Sequence, residues 1–325
     1  MKAVARFGKF YYSLLGWLMK DTLWFDDLPV IGKMPEQQVA ARLQELEVSP
    51  PMRQTLGPTL GSPPIRKSWN PFEPKLWQHT AHTFGYLPSG PGLGGGKLLE
   101  ICHAGQIKAD AGLKNSRIKI TLDRLRVADY PGYGMHRILF DFYAQNQLPN
   151  EVESLHYNAT YRVQSGEHAG ITGYPIFVGL RVGGEGVSFR CYTVNVKNDQ
   201  DETFLEFLES DEFRQGLRLL EGAQPVIAPF SQMAYNLTRS IAKRNRNVPV
   251  QEFHMGLDFS DIPTRARLAE GAYIAVQIPE SEQSGWDWGQ WRFNPASGQI
   301  HHEESPQQMI PYNYLVFSIS RYQGD

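Results

Sequence analysis

Residues 123–143 read DRLRVADYPGYGMHRILFDFY, and the reading of this stretch decides the fold class. It overlaps RIKITLDRLRV (117–127), where Ile118, Ile120 and Leu122 alternate with Lys119, Thr121 and Asp123. A period of two is that of a strand with one buried face. Downstream, Ile138, Phe140 and Phe142 alternate with Arg137, Leu139 and Asp141. Between them, Asp129, Pro131, Gly132 and Gly134 supply turn chemistry, because proline fixes φ and glycine admits positive φ.

The same signal recurs outward from this segment. ESLHYNATYRVQSG, YPIFVGLRVGG, VSFRCYTVNVKN, GAYIAVQIPE, GQWRFNPASGQIHH and NYLVFSISRY all read as strands, with GGEG (183–186) and NPASG (294–298) as turns. About eight strands with no strand–helix alternation predict an antiparallel β-sandwich. Two helices are expected to interrupt it. The first follows Asp201 as N-cap. The second spans about 228–247, with Phe230, Met233, Ala234, Leu237 and Ile241 on its apolar face. The expected organisation is an N-terminal helical and proline-rich segment, 1–96, followed by a sandwich domain, 97–325. Within the first part, PEQQVAARLQELE (35–47) reads as a short helix with Val39, Leu43 and Leu46 on one side, and seven prolines in 49–75 mark an extended connector.

Thirty-two basic against 34 acidic residues exclude a wholesale nucleic-acid footprint. Two distant cysteines, Cys102 and Cys191, give neither a disulfide framework nor a CxxC metal site, and a reducing, cytoplasmic setting is expected. SGPGLGGGKLLE (89–100) is not a phosphate loop, because Pro91 removes an N–H from the cradle and Leu98 replaces the magnesium-binding hydroxyl.

The first twenty residues combine Lys2, Arg6, Lys9 and Lys20 with Phe7, Phe10, Tyr11, Leu14, Leu15 and Leu18 at helical spacing. Such a helix either docks on its own domain or lies in the plane of an anionic membrane, with Trp17 and Trp24 at the interface. Trp286, Trp288 and Trp291 form a second aromatic group that either covers the core or meets a partner or membrane. These features, with Phe7, Lys9, Phe10 and Trp17, are the expected docking residues.

The 123–143 segment and VKNDQDETF (196–204) together resemble a C2-type β-sandwich over roughly residues 115–250. In that family an aspartate-bearing first loop meets an Asp-x-Asp pair from a later loop. The resemblance implies a calcium site of Asp123, Asp129, Asp199 and Asp201 between protein and lipid headgroup, since calcium takes six to eight hard oxygens. The expected function is therefore a non-enzymatic module that docks onto a membrane surface or a protein partner. One alternative is a hydrolase with a site assembled in space around Cys102, His103 or His136, its Cys–His pair being Cys102 with a distant histidine such as His136 or His156, since adjacent Cys102 and His103 point to opposite faces. Another is a scaffold whose exposed strand edges join copies into a homo-oligomer.

Overall fold

The computed structural model describes residues 24–47, 75–90, 98–148, 152–201, 205–206, 208, 227–262 and 264–324. The proline-rich connector and the expected helix after Asp201 lie largely outside these residues. So do the N-terminal twenty residues, with Phe7, Lys9, Phe10 and Trp17, and most of the glycine-rich 89–100 stretch.

Among the described residues the chain is mainly β, with the α-helices α1 (Glu36–Glu47) and α2 (Ile227–Lys243). Strands β1 (Ala81–Pro88), β3 (Cys102–His103), β4 (Arg117–Val127), β7 (Glu167–His168), β8 (Tyr174–Arg181), β12 (Gly271–Ile278) and β15 (Tyr314–Arg321) form a seven-stranded sheet in the order β3-β1-β12-β15-β4-β7, with β8 also on β4. A five-stranded sheet runs β11 (Ala266–Arg267), β10 (Val248–Asp258), β9 (Gly186–Val196), β5 (Met135–Gln147), β6 (Val152–Gln164). A small third sheet joins β14 (Gln299–His302), β13 (Trp291–Asn294) and β2 (Leu99–Glu100). All pairings are antiparallel except the two-residue β10–β11 pair.

The opening turn is not a hairpin. β4 belongs to the seven-stranded sheet and β5 to the five-stranded one, so residues 128–134 carry the chain from one sheet to the other. Gly132 and Gly134 have φ of 93° and 76°, which explains glycine at both places. Gly183 and Gly186 exchange backbone hydrogen bonds in a second tight turn, yet β8 and β9 also part into different sheets.

Alternating residues of both large sheets meet in one core. Ile118, Ile120 and Leu122 of β4 and Phe317 of β15 share it with Ile138, Phe140 and Phe142 of β5 and Phe189 of β9. Phe317 lies 5.5 Å from Phe142 and 5.9 Å from Phe189, ring centre to ring centre. The outer face of the five-stranded sheet is covered by α2 and by residues 24–30, through Trp24, Phe25, Leu28 and Tyr235. The outer face of the seven-stranded sheet is covered by the small sheet, through Trp288, Trp291 and Ile300. β5 is consequently buried on both faces.

Residues 81–88, on the N-terminal side of the expected boundary at 96/97, form a full-length partner of β12. Their period is interrupted by Gly85, where a Cβ would sit 2.9 Å from the Trp288 ring and 2.7 Å from Ile101. Strand β10 was not among the expected strands, although Phe253, Met255 and Leu257 alternate there with Glu252, His254 and Gly256; a register shift between Pro249 and Gln251 confines this alternation to its second half. On α1, Val39, Leu43 and Leu46 pack against the main core, as their spacing predicts.

A buried polar chain ties the two large sheets together beside the opening turn. Asn313 Oδ1 accepts from the backbone N–H of Ala128 (2.7 Å) and Asp129 (3.1 Å), while its Nδ2 donates to Asp129 O (3.0 Å) and Gln277 Oε1 (2.9 Å). Tyr130 Oη then meets Thr193 Oγ1 at 3.0 Å and accepts from Gln251 Nε2 at 2.6 Å. Asn313, Thr193 and Gln251 are essentially inaccessible to solvent. Truncating Asn313 strands several buried donors and acceptors at once. Asn313→Ala is expected to lower the unfolding free energy by about 2–4 kcal/mol in urea denaturation, whereas a surface-like loss below about 0.5 kcal/mol would contradict this role.

Candidate functional site

A cavity of about 450 Å³ opens beside the edge strand β6. Among the described residues it is lined by Tyr157, Asn158 and Tyr161 of β6, by Thr172 and Tyr174 before and in β8, and by Leu208. Three phenols converge here. Burial pushes the Tyr157 hydroxyl well above the usual tyrosine range, and the neighbouring Tyr161 and Tyr174, both hydrogen-bonded to it, push it further. Tyr157 and Tyr174 rings lie 6.1 Å apart. No charged side chain appears among the described lining residues.

Asn158 connects this cavity to a sealed polar cluster under α2. Asp141 accepts from His156 Nδ1 (2.8 Å) on one oxygen, and from Asn158 Nδ2 (3.1 Å) and Thr238 Oγ1 (2.9 Å) on the other. Asn158 Nδ2 also reaches Thr238 Oγ1 (2.6 Å), and Ser231 Oγ accepts from the backbone N–H of His156 (3.2 Å). All five side chains are buried. Asn158 also lines the cavity, while its Oδ1 is buried and has no hydrogen-bond partner among the described residues.

The sequence expects Met233 and Leu237 on the apolar face of α2. Ala234 and Ile241 are buried as expected and Leu237 is half-buried against the same core, but the buried stripe also takes in Ser231, Tyr235, Thr238 and Ala242, and Met233 is exposed. Two of its members are polar because they face the Asp141 cluster, which is why hydrophobic spacing alone misplaces the face.

The four expected calcium ligands have separate engagements. Asp123 accepts from Ser318 Oγ and from Thr121 Oγ1 (3.2 Å), and burial raises its pKa. Asp129 is gripped through its backbone by Asn313. Asp201 is buried and bonded to Arg244 Nη1 and to Asn247 Nδ2 (2.5 Å). Asp199 is 79% exposed on its side chain and pairs with Arg246 (3.2 Å). Among the described residues no three His, Cys, Asp or Glu side chains gather as metal ligands.

Of the tryptophans, Trp288 and Trp291 are buried against the seven-stranded sheet, and the half-buried Trp286 stacks on Trp291 at 5.9 Å. Cys102 is exposed on β3, and His103 Nδ1 accepts from Gly105 N. His136 Nε2 pairs with Ser165 Oγ (3.0 Å) and His156 with Asp141, so each histidine named for a hydrolase is engaged with a residue other than Cys102.

Compared with protein-family models, with curated proteins and with solved structures, the chain matches none.

Three histidines set the acid response. Burial is the largest cause of the fall to about 4 in His82, His136 and His168, with Lys197 adding to it at His136 and Arg126 at His168. Unfolded imidazoles titrate near 6.5, so between pH 6.5 and 4 the unfolded chain binds more protons than the folded one. Stability is therefore full above pH 6.5 and falls as the pH drops towards 4. Denaturant midpoints measured across this window should decline steadily, and His136→Gln should flatten the slope. A midpoint independent of pH from 7 to 4.5 would contradict the assignment.

Proposed function

We propose that the chain is a non-enzymatic binding module, built as a C2-like β-sandwich, that seats a side chain of a protein partner in the tyrosine cavity. The observation that carries this reading is the cavity itself, about 450 Å³ and lined by three hydroxyl-bearing rings. Cavities of about 300–1,000 Å³ with apolar walls and a few convergent polar groups are the usual form of a binding site. Tyrosine walls suit a neutral or aromatic side chain, offering area together with hydrogen bonds at low entropic cost. No calcium is required in this reading, because Asp123 and Asp201 already have protein partners. A cytoplasmic setting belongs to it and accords with Cys102 and Cys191 both being free.

Gly170 lines the cavity with open space where a Cβ would sit, so a bulky residue there fills the site without disturbing the core. Peptides selected from a random display library should carry an aromatic or apolar anchor. They should lose at least ten-fold in affinity for Gly170→Phe, while its melting temperature stays unchanged. Failure to enrich any peptide, or binding indifferent to Gly170→Phe, would refute the reading.

A second reading, docking on a membrane surface, is favoured by the tip of the opening turn. Tyr133 is 87% and Met135 48% exposed there. Lys197 braces the tip from below, donating to Tyr133 O (3.1 Å) and Met135 O (2.8 Å). An aromatic ring with a cation beneath it suits a lipid headgroup region. On this reading phosphatidylserine liposomes float the protein equally with calcium or EDTA, and Tyr133→Asp abolishes flotation. No flotation under either condition would remove it.

A further inference from the structure

On the outer face of the seven-stranded sheet, two arginines form no ion pair with a described residue. Arg126 of β4 stands between Tyr314 of β15 and His168 of β7 in the strand register. It is only 6% exposed. Its Nη1 donates to Gly166 O at 3.0 Å, and its Nε has no partner. Arg124, two residues earlier and opposite Val316, lays its guanidinium against Gly298 in the β13–β14 turn, so closely that no side chain fits there. Neither guanidinium forms an ion pair with a described residue. The nearest acid in sequence, Asp123, has its carboxylate hydrogen-bonded to Ser318 and Thr121 and meets Arg124 only through space. His168 Nε2 and Tyr314 Oη face each other at 2.8 Å beside the pair.

Burying a guanidinium without a counter-charge is costly, and an unpaired buried donor calls for a water or an ion. The planar fork of arginine matches tetrahedral and planar oxyanions with paired N–H donors. We propose that Arg124 and Arg126 hold a doubly charged, phosphate-class oxyanion between β4, β7 and the 294–298 turn. Two fixed positive charges with no carboxylate bonded to either match a dianion, whereas a single carboxylate leaves one of them unneutralised. The depressed pKa of His168, caused by burial and then by Arg126 and Arg124, accords with strong positive potential at this place. His168 is neutral at pH 7 and serves there as a hydrogen-bonding group.

The test is thermal denaturation of the full chain at pH 7.5 in inorganic phosphate, acetate and chloride at matched ionic strength. Phosphate should raise the melting temperature saturably, by about 2 °C at ten times Kd, with acetate no better than chloride. Arg124→Gln, at a half-buried position, should fold and weaken the apparent phosphate affinity at least ten-fold. Arg126→Met should abolish the response without lowering the melting temperature in chloride, since it removes an uncompensated buried charge. The proposal is overturned by any of three results: no saturable phosphate effect, an undiminished effect in Arg124→Gln, or acetate stabilising as well as phosphate.

Discussion

The position of the opening turn depends on one side chain. Asn313 sits just before β15, inaccessible to solvent, and presents a carboxamide whose oxygen accepts two backbone N–H groups of the turn. Its nitrogen returns a hydrogen bond to the same turn and reaches Gln277. A turn that passes between two sheets has no strand partner for its own amides, and a buried carboxamide supplies what a ladder would otherwise provide. The chain of contacts continues through Tyr130 to Thr193 and Gln251 on the other sheet. Apolar contact between the sheets is non-directional and permits sliding, while this polar chain fixes their register at one end. Asn195 Nδ2, donating to Pro131 O at 2.6 Å, adds a second peg from β9.

With the turn fixed, β5 runs through the middle of the five-stranded sheet, buried on both faces. One face joins the common core through Phe140 and Phe142, and the other carries Leu139, Asp141 and Tyr143 under α2. A buried carboxylate in such a place is tolerated only with several donors, and His156, Asn158 and Thr238 provide them. This requirement sets the rotation of α2. It also fixes Asn158, a residue of the cavity lining, with its carboxamide nitrogen turned to the carboxylate and its buried oxygen unbonded.

The β class was legible because β5, β9 and β15 keep a strict period of two where one face meets the core, and β4 does so from Ile118 to Leu122, before its bulge. β1 was not, since Gly85 interrupts its alternation for a reason that lies in other elements, and β10 offered its alternation only from Phe253 to Leu257, beyond the shift at Pro249–Gln251. The turns at 128–134 and 183–186 were legible as turns, but their residues are those of hairpins, and nothing local says that the strands diverge. Site legibility was lower still. The aspartates were conspicuous by type, whereas their partners Ser318, Thr121, Arg244 and Asn247 are distant or unremarkable in sequence. The tyrosines of the cavity carried a signal only as one face of a strand. Tyr157 and Tyr161 were readable as neighbours on β6, but Tyr174 arrives from the other sheet.

Native-state hydrogen exchange at Ala128 and Asp129 tests the central claim most directly. These amides belong to a turn, yet each donates to a buried oxygen that joins the two sheets. If Asn313 fixes the turn, both exchange only through opening as costly as that of the flanking β4 amides, such as Leu125. Exchange at the rate of an unprotected loop, with β4 still protected, would show that the sheets are held without it.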